Sequence, residues 1–269
     1  MIEPLYFGKE PKLLFGIYYP PRHNNNIDAA IVFCSPIGQE YMRSHRTFLH
    51  LVKTLALNGL HVLKFDYYGC GDSAGKCEEG NIDQWILDIL EAIDELKEGS
   101  GAKQLYLIGL RLGATLALLA SNRRSDVDGI VLWEPIVSGI NYIDELRKTH
   151  HQWLNGSFSK NMSKHNNEDE EEILGFPLTN ALKSQLRAID LLTGVYVLPA
   201  NTLLIESSTN KKDIDCFRQY LNEQNEACEY VNIPAPQIWV KGNGESKAIV
   251  PLRIVQYISE WLTSKQRAC

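Results

Sequence analysis

The residues best placed to do chemistry lie in one short run, Gly109-Leu110-Arg111-Leu112-Gly113. An apolar stretch, Leu105 to Ile108, leads into it, and a helical stretch, Ala114 to Ala120, leaves it. Strand, Gly-x-residue-x-Gly, helix is the pattern of a nucleophile elbow. This sharp turn presents its central side chain at a helix N-terminus, where unpaired backbone amides stabilise negative charge. The glycines are needed because side chains there would strike the neighbouring strand and helix. The reaction needs Ser, Cys or Asp at the centre. This chain has arginine, whose guanidinium stays protonated and cannot carry an acyl group. A fixed cation at a helix N-terminus is opposed by the helix dipole, so something anionic must compensate it. Two partners are open: a nearby carboxylate, with Glu40 the first candidate, or an anionic ligand such as a carboxylate or phosphate.

A Ser-His-acid mechanism also needs an imidazole after the last strand. The histidines are His23, His45, His50, His61, His150, His151 and His165, and none follows residue 165. The stretch from Val240 to Ser246, where it should stand, has none. Glu206, at the end of the strand Leu203 to Ile205, suits the acid position but has no histidine to orient. Cys70, between Gly69 and Gly71, is a candidate substitute nucleophile if His45 or His50 lowers its pKa. The competing reading is a small buried residue filling a turn. Arg111, Cys70 and Glu206 are thus the catalytic candidates. Gly38 and Gln39, in Ser35-Pro36-Ile37-Gly38-Gln39, stand where this kind of site builds half of its oxyanion hole. With Leu112 at the elbow, and with Glu40, Arg43 and Arg46 as a charged cluster facing Arg111, they make up the ligand-binding candidates. The alternative for Glu40 is a solvated helix start favoured by the dipole. Trp85, Trp133 and Trp239 fall in core patterns, and packing accounts for them.

The elements that must hold these residues are legible as a period. Apolar runs at 13–19, 29–34, 62–65, 105–108, 130–133, 202–205 and 229–233 alternate with amphipathic stretches at 45–57, 82–96 and 252–262. Such alternation predicts an α/β protein: a mostly parallel, doubly wound sheet with helices on both faces. With the elbow in place, that is the α/β-hydrolase fold. Residues 1–138 and 198–269 form its core. Residues 139–197 read as a helical cap insertion, with helices near 142–153 and 178–192. Between them, about residues 155–172, a polar segment ending in Glu168-Asp169-Glu170-Glu171-Glu172 reads as a mobile solvated loop, with a lid or docking segment as the alternative.

Composition narrows the function further. With a formal net charge of −6 and a sequence pI near 5.7, the chain repels phosphate, so no nucleic-acid partner is expected. The start, Met1 to Tyr6, lacks the basic and apolar stretch of a secretory signal, and no window is apolar enough to span a membrane. The six cysteines show no Cys-x-x-Cys pair or zinc-ligand spacing. We read them as reduced thiols in a cytoplasmic protein, with no metal and no cofactor. The expected partner is a small acyl or anionic ligand, with a pathway protein as a further candidate.

Several segments carry a family resemblance. They are Glu40-Tyr41-Met42-Arg43-Ser44-His45-Arg46, Asp66-Tyr67-Tyr68-Gly69-Cys70-Gly71-Asp72-Ser73-Ala74-Gly75, the elbow with its arginine, Trp133-Glu134-Pro135-Ile136-Val137-Ser138-Gly139, and Gly175-Phe176-Pro177-Leu178-Thr179. Together they resemble the exosortase A system-associated hydrolases of the second type, in the serine-aminopeptidase-like branch of the α/β hydrolases. The resemblance implies the hydrolase fold and a bacterial setting tied to polymer or secondary-metabolite gene clusters. It implies no particular reaction, because the family name comes from the fold. Two functions follow: an atypical acyl-handling protein without the Ser-His-acid triad, or a non-catalytic pseudo-hydrolase that binds a ligand or docks a partner.

Overall fold

The computed structural model describes residues 2–22, 27–156, 170–208, 212–240 and 249–266. An eight-stranded sheet organises them. Its strands are β1 (Glu3–Phe7), β2 (Leu14–Tyr19), β3 (Ala29–Cys34), β4 (His61–Phe65), β5 (Gln104–Leu110), β6 (Gly129–Trp133), β9 (Asn201–Glu206) and β10 (Glu229–Asn232). They lie in the order β1-β2-β4-β3-β5-β6-β9-β10. β1, β2 and β4 pair antiparallel, and every pair from β4 to β10 is parallel. This is the α/β-hydrolase fold anticipated from the alternating runs. The central strands β3, β4, β5 and β6 are buried at every position except Gln104, as expected for strands covered on both faces.

Two apolar layers cover the sheet. On one face lie α2 (Ile82–Ser100) and α3 (Leu112–Ser121); on the other lie α1 (Gly38–Leu57) and α7 (Leu252–Gln266). α2 turns one stripe inward, with Trp85, Ile86, Ile89 and Ile93 buried. Asn81 caps its start by accepting from the Gln84 amide at 3.0 Å, and Gly101 ends it in the left-handed conformation. α1 begins seven residues before the stretch expected from periodicity, at Gly38 rather than His45. Its first turn holds Glu40 on the buried side, a polar position that hydrophobic spacing does not reveal. α6 (Lys212–Glu223) completes the packing after β9.

Between β6 and β9 stand α4 (Gly139–Gly156), a hairpin of β7 (Glu170–Ile173) and β8 (Phe176–Thr179), and α5 (Asn180–Arg187). Two sequence expectations change here. The second helix is short, because Phe176 to Thr179 pairs as a strand before Thr179 caps α5. Of the acidic run expected to be a mobile loop, Glu170 to Glu172 form a strand, and the preceding stretch 157–169 lies outside the described residues. Glu171 is held by Arg147 at 2.7 Å and Lys183 at 3.1 Å, cations from α4 and α5 that a charge run by itself does not disclose. Gln185 of α5 ties these elements to the core, its Oε1 accepting from the Ile82 amide at 2.7 Å.

Two outcomes test this packing. A Cβ on Gly113 would lie 2.1 Å from the Cys34 carbonyl oxygen and 2.5 Å from that of Ser35, both rigid backbone. Gly113→Ala should therefore lower stability by about 1–3 kcal/mol, read as a drop in denaturant midpoint. The hydrogen bond from Arg147, with help from Lys183, pulls the Glu171 carboxyl down to about 2. A depressed folded-state value means the stabilisation is present above the ordinary glutamate range, about 4.3, and is lost as pH falls. Wild type should melt above Glu171→Gln at pH 6, with the gap closing as pH approaches 2.

Candidate functional site

The elbow is built as its sequence predicts. Arg111 stands at φ 54°, ψ −126°, the strained geometry of a strand-to-helix turn, and its amide donates to the Trp133 carbonyl at 2.9 Å. A Cβ on Gly109 would lie 2.4 Å from the Ala114 Cα, so both glycines are sterically obligatory. Leu112, fully buried, opens α3.

The Arg111 guanidinium is enclosed and answered by the protein's own groups. Its Nε lies 3.1 Å from Glu40 Oε1 and its Nη2 lies 2.6 Å from Glu145 Oε2 on α4. The Tyr142 hydroxyl donates to the other Glu40 oxygen at 2.9 Å. The Tyr142 and Trp239 rings lie 5.5 Å and 5.1 Å from the guanidinium carbon. Burial works against the charge on Arg111, but Glu40 and then Glu145 raise its pKa above the ordinary value, so it stays protonated. Burial pushes the Glu40 carboxyl up, with Arg111 pulling against it. Of the two compensating partners left open by the sequence, the carboxylate Glu40 is in contact, and Glu145 stands beside it. Glu145, Tyr142 and Trp239 were not named as site residues from sequence. α4 presents Tyr142 and Glu145 on one face three residues apart, a spacing also read as ordinary amphipathicity. Trp239 is buried in the core as expected, but it lies in a turn after β10 rather than in a strand or helix. Its ring covers one side of the Arg111 guanidinium.

The remaining candidates disperse. Arg43 is half-buried and Arg46 exposed, and among the described residues neither pairs with Glu40 or Arg111. The expected cluster of Glu40, Arg43, Arg46 and Arg111 is therefore reduced to Glu40 and Arg111. α1 turns Glu40 inward and leaves Arg46 on the solvent side. Glu206 ends β9 fully buried; it accepts from the Tyr230 hydroxyl, and its Oε1 has no partner among the described residues. Beside it, Glu134, at φ 49°, accepts from the backbone amides of Ser207 at 2.6 Å and Ser208 at 2.5 Å and from both hydroxyls, tying the ends of β6 and β9 together. The stretch 241–248, most of the loop expected to carry the histidine, lies outside the described residues.

Cys70 does not meet the conditions of a nucleophile. Burial pushes its thiol up to about 12, with Cys77 and Asp66 adding to the rise. A nucleophilic cysteine requires the opposite shift. His45, one proposed base, packs edge-on against the Tyr41 ring. Cys70, Gly38 and Tyr41 line a cavity of about 380 Å³ beside the elbow, between the end of β3, the loop after β4 and the β8–α5 segment. Gln39 is half-buried next to it. A smaller, more polar cleft of about 90 Å³ lies on the other side, against Arg111, Glu145 and Trp239. Among the described residues no group of acids, histidines and cysteines could hold a metal ion, and no helix is long and apolar enough to cross a membrane.

This sheet order, elbow and insertion define an α/β-hydrolase-fold protein. Residues 22–177, more than half of the chain, match the family model described as serine aminopeptidase, S33, and the chain belongs to that family. It is 36% identical over 162 residues to human protein ABHD12B, covering 51% of this chain and 43% of that protein. It is 31% identical to the bovine mitochondrial palmitoyl-protein thioesterase ABHD10 over 44% of this chain and 30% of that one. It is 32% identical to the lysophosphatidylserine lipase ABHD12 of Xenopus tropicalis over 38% and 26%. The chain thus spans less than half the length of each of these relatives. Among solved structures, Est1E of Butyrivibrio proteoclasticus, with ferulic acid bound, has a TM-score of 0.70 at 17% identity, covering 98% of this chain and all of that one. The Pyrococcus furiosus esterase Pf2001 has 0.64 at 16% identity, covering 98% and 91%. At these identities the likeness is one of fold.

Truncating Arg111 would leave Glu40 buried without its partner. Arg111→Met should cost about 3–5 kcal/mol in urea unfolding, as for other broken buried ion pairs. The Glu145 side chain is 42% exposed, so Glu145→Gln should cost no more than about 1 kcal/mol.

Proposed function

We propose that this chain is an S33-family protein that has given up serine hydrolysis and serves as a ligand-binding or partner-docking accessory. The observation that carries this reading is the occupation of the Arg111 guanidinium by Glu40 and Glu145, with Trp239 on its open side. A cation that is already answered is not available to polarise a carbonyl or to anchor an anionic ligand. The geometry therefore favours a structural role for Arg111, joining α4 to the elbow, over the role of anion anchor.

On this reading residues 139–197 act as a cap held down by that ion pair, over a core of 1–138 and 198–269. The lipase and thioesterase names of the curated relatives support an acyl-type ligand. Gly38, Gln39 and Leu112, around the elbow, are the proposed surroundings of such a ligand, and Glu206 keeps only a buried structural place. The resemblance to exosortase A system-associated hydrolases supports a bacterial polymer or secondary-metabolite setting, and the cysteine spacing supports a cytoplasmic location. The second reading, an atypical acyl enzyme using Cys70, is opposed by the raised thiol.

The test is turnover. A serine-directed fluorophosphonate should leave the chain unlabelled, and p-nitrophenyl esters and acyl thioesters should hydrolyse at the background rate. Arg111→Ser should not create activity, because no histidine follows residue 165 in the sequence to take the proton. Saturable ester or thioester turnover by the parent chain would overturn the proposal.

A further inference from the structure

The outer side of α1 carries Arg43 and Arg46, the two arginines that the Arg111 cluster leaves aside. Along that side Met42, Arg46, His50, Lys53 and Leu57 are exposed, each three or four residues from the next, so they form one stripe down the helix. The stripe runs for about 22 Å. The only acid of α1 is Glu40, which is buried against Arg111. The stripe therefore holds cations and no carboxylate.

α7 widens this surface. The Thr47 hydroxyl of α1 donates to the Ile249 carbonyl at 3.4 Å, and the Asn58 amide at the end of α1 donates to the Ser259 hydroxyl at 2.6 Å. The two helices therefore lie side by side and run the same way. α7 exposes Leu252, Arg253, Gln256 and Glu260, and Glu260 accepts from the Gln256 amide at 2.8 Å. Exposed Arg22 stands at the far end of α1, where its backbone amide donates to the Ala56 carbonyl at 2.9 Å. Arg22, Arg43, Arg46, Lys53 and Arg253 thus meet one exposed acid, Glu260, in a chain of formal net charge −6. Among the described residues none of these five cations makes an ion pair, whereas Lys97, Arg124, Arg147 and Lys183 each meet a carboxylate. Apolar side chains stand among them: Met42, Leu252, Ile249 and Leu57 are 61%, 60%, 47% and 46% exposed.

The charge of this face calls for an anionic partner, and its shape favours one kind. None of these exposed residues lines either cavity described above. A partner helix needs a groove to receive its anchors, whereas a bilayer surface needs none. Single apolar side chains set among unpaired cations, over two parallel helices, suit that flat partner. The apolar groups enter the boundary between headgroups and acyl chains, while the Lys and Arg stems hold their charges at the phosphates. We propose that the α1–α7 face seats this protein peripherally on an anionic lipid surface. The inference goes beyond the role proposed for the elbow and does not rest on it. It is read by vesicle binding and the elbow by turnover, so the two can fail separately.

The experiment mixes the full chain with phosphatidylcholine vesicles and with vesicles in which about one-third of the lipid is phosphatidylglycerol, and reads the bound fraction by sedimentation. Binding to the anionic vesicles alone is expected, with release in about 0.5 M salt, where a few ångströms of solution screen a charge. Each cation removed should weaken binding about fivefold, so Arg46→Gln with Lys53→Gln should bind at least about tenfold more weakly. Met42→Ser with Leu252→Ser should also bind more weakly. Arg123→Gln with Lys148→Gln, exposed cations just past α3 and on α4, should bind as the parent does. Every variant is confirmed folded by thermal melting. Equal binding to both vesicles, binding to neither, or parent-like binding by Arg46→Gln with Lys53→Gln would each overturn the inference. Retention on immobilised poly-L-glutamate without vesicle binding would overturn it too, and would assign the face to an acidic protein. The parent chain's preference between the two vesicles, and its loss in salt, decide the matter even if a variant fails to fold.

Discussion

A guanidinium shut away from water must be surrounded by groups that replace the water, and that requirement governs the centre of this protein. Arg111 is placed by the elbow at the N-terminus of α3, the wrong end of a helix dipole for a cation. Glu40 comes from the first turn of α1, where the dipole favours an acid, and Glu145 comes from α4. One ion-paired cluster therefore joins the elbow, the loop after β3 and the insertion after β6. The aromatic rings of Tyr142 and Trp239 cover what the carboxylates leave open.

Among the described residues the α/β-hydrolase frame is kept around this cluster. The strained turn, the glycines that permit it and the order of the parallel strands are those of the α/β-hydrolase fold, and Glu206 ends β9. The centre of this frame is built around a cation: Arg111 stands on the elbow, Trp239 lies against it from the turn after β10, and the buried Glu206 accepts from the Tyr230 hydroxyl. A cavity to the side of the cluster is lined by Phe65, Trp85 and Phe176 and by no Lys, Arg or His. Fold and activity are separable, so the fold alone does not fix what the elbow does.

The fold and the pair at its centre were legible because both depend on local signals. A buried parallel strand is a continuous apolar run, and an elbow is a five-residue motif, so Arg111 and the need for an anion could be read directly. Glu145, Tyr142 and Trp239 could not, because each reaches Arg111 only through tertiary packing and each suits an ordinary amphipathic or core position. The same reason explains Glu170 to Glu172. Adjacent acids read as a solvated loop until Arg147 and Lys183, distant in sequence, are seen to neutralise Glu171. Arg43 and Arg46 failed in the opposite direction, since nearness in sequence to Glu40 did not bring them to the same side of α1.

The central claim is that Arg111 and Glu40 form a committed pair rather than a binding site awaiting a ligand. The most direct measurement is a double-mutant cycle in urea unfolding, using Arg111→Met, Glu40→Leu and the double variant. Each single change leaves the other member buried with only its lesser partner, Glu145 for Arg111 and the Tyr142 hydroxyl for Glu40, while the double change replaces both with apolar side chains. A coupling of about 2 kcal/mol or more, with the double variant more stable than either single one, is the predicted result. Additive losses with no coupling would contradict it.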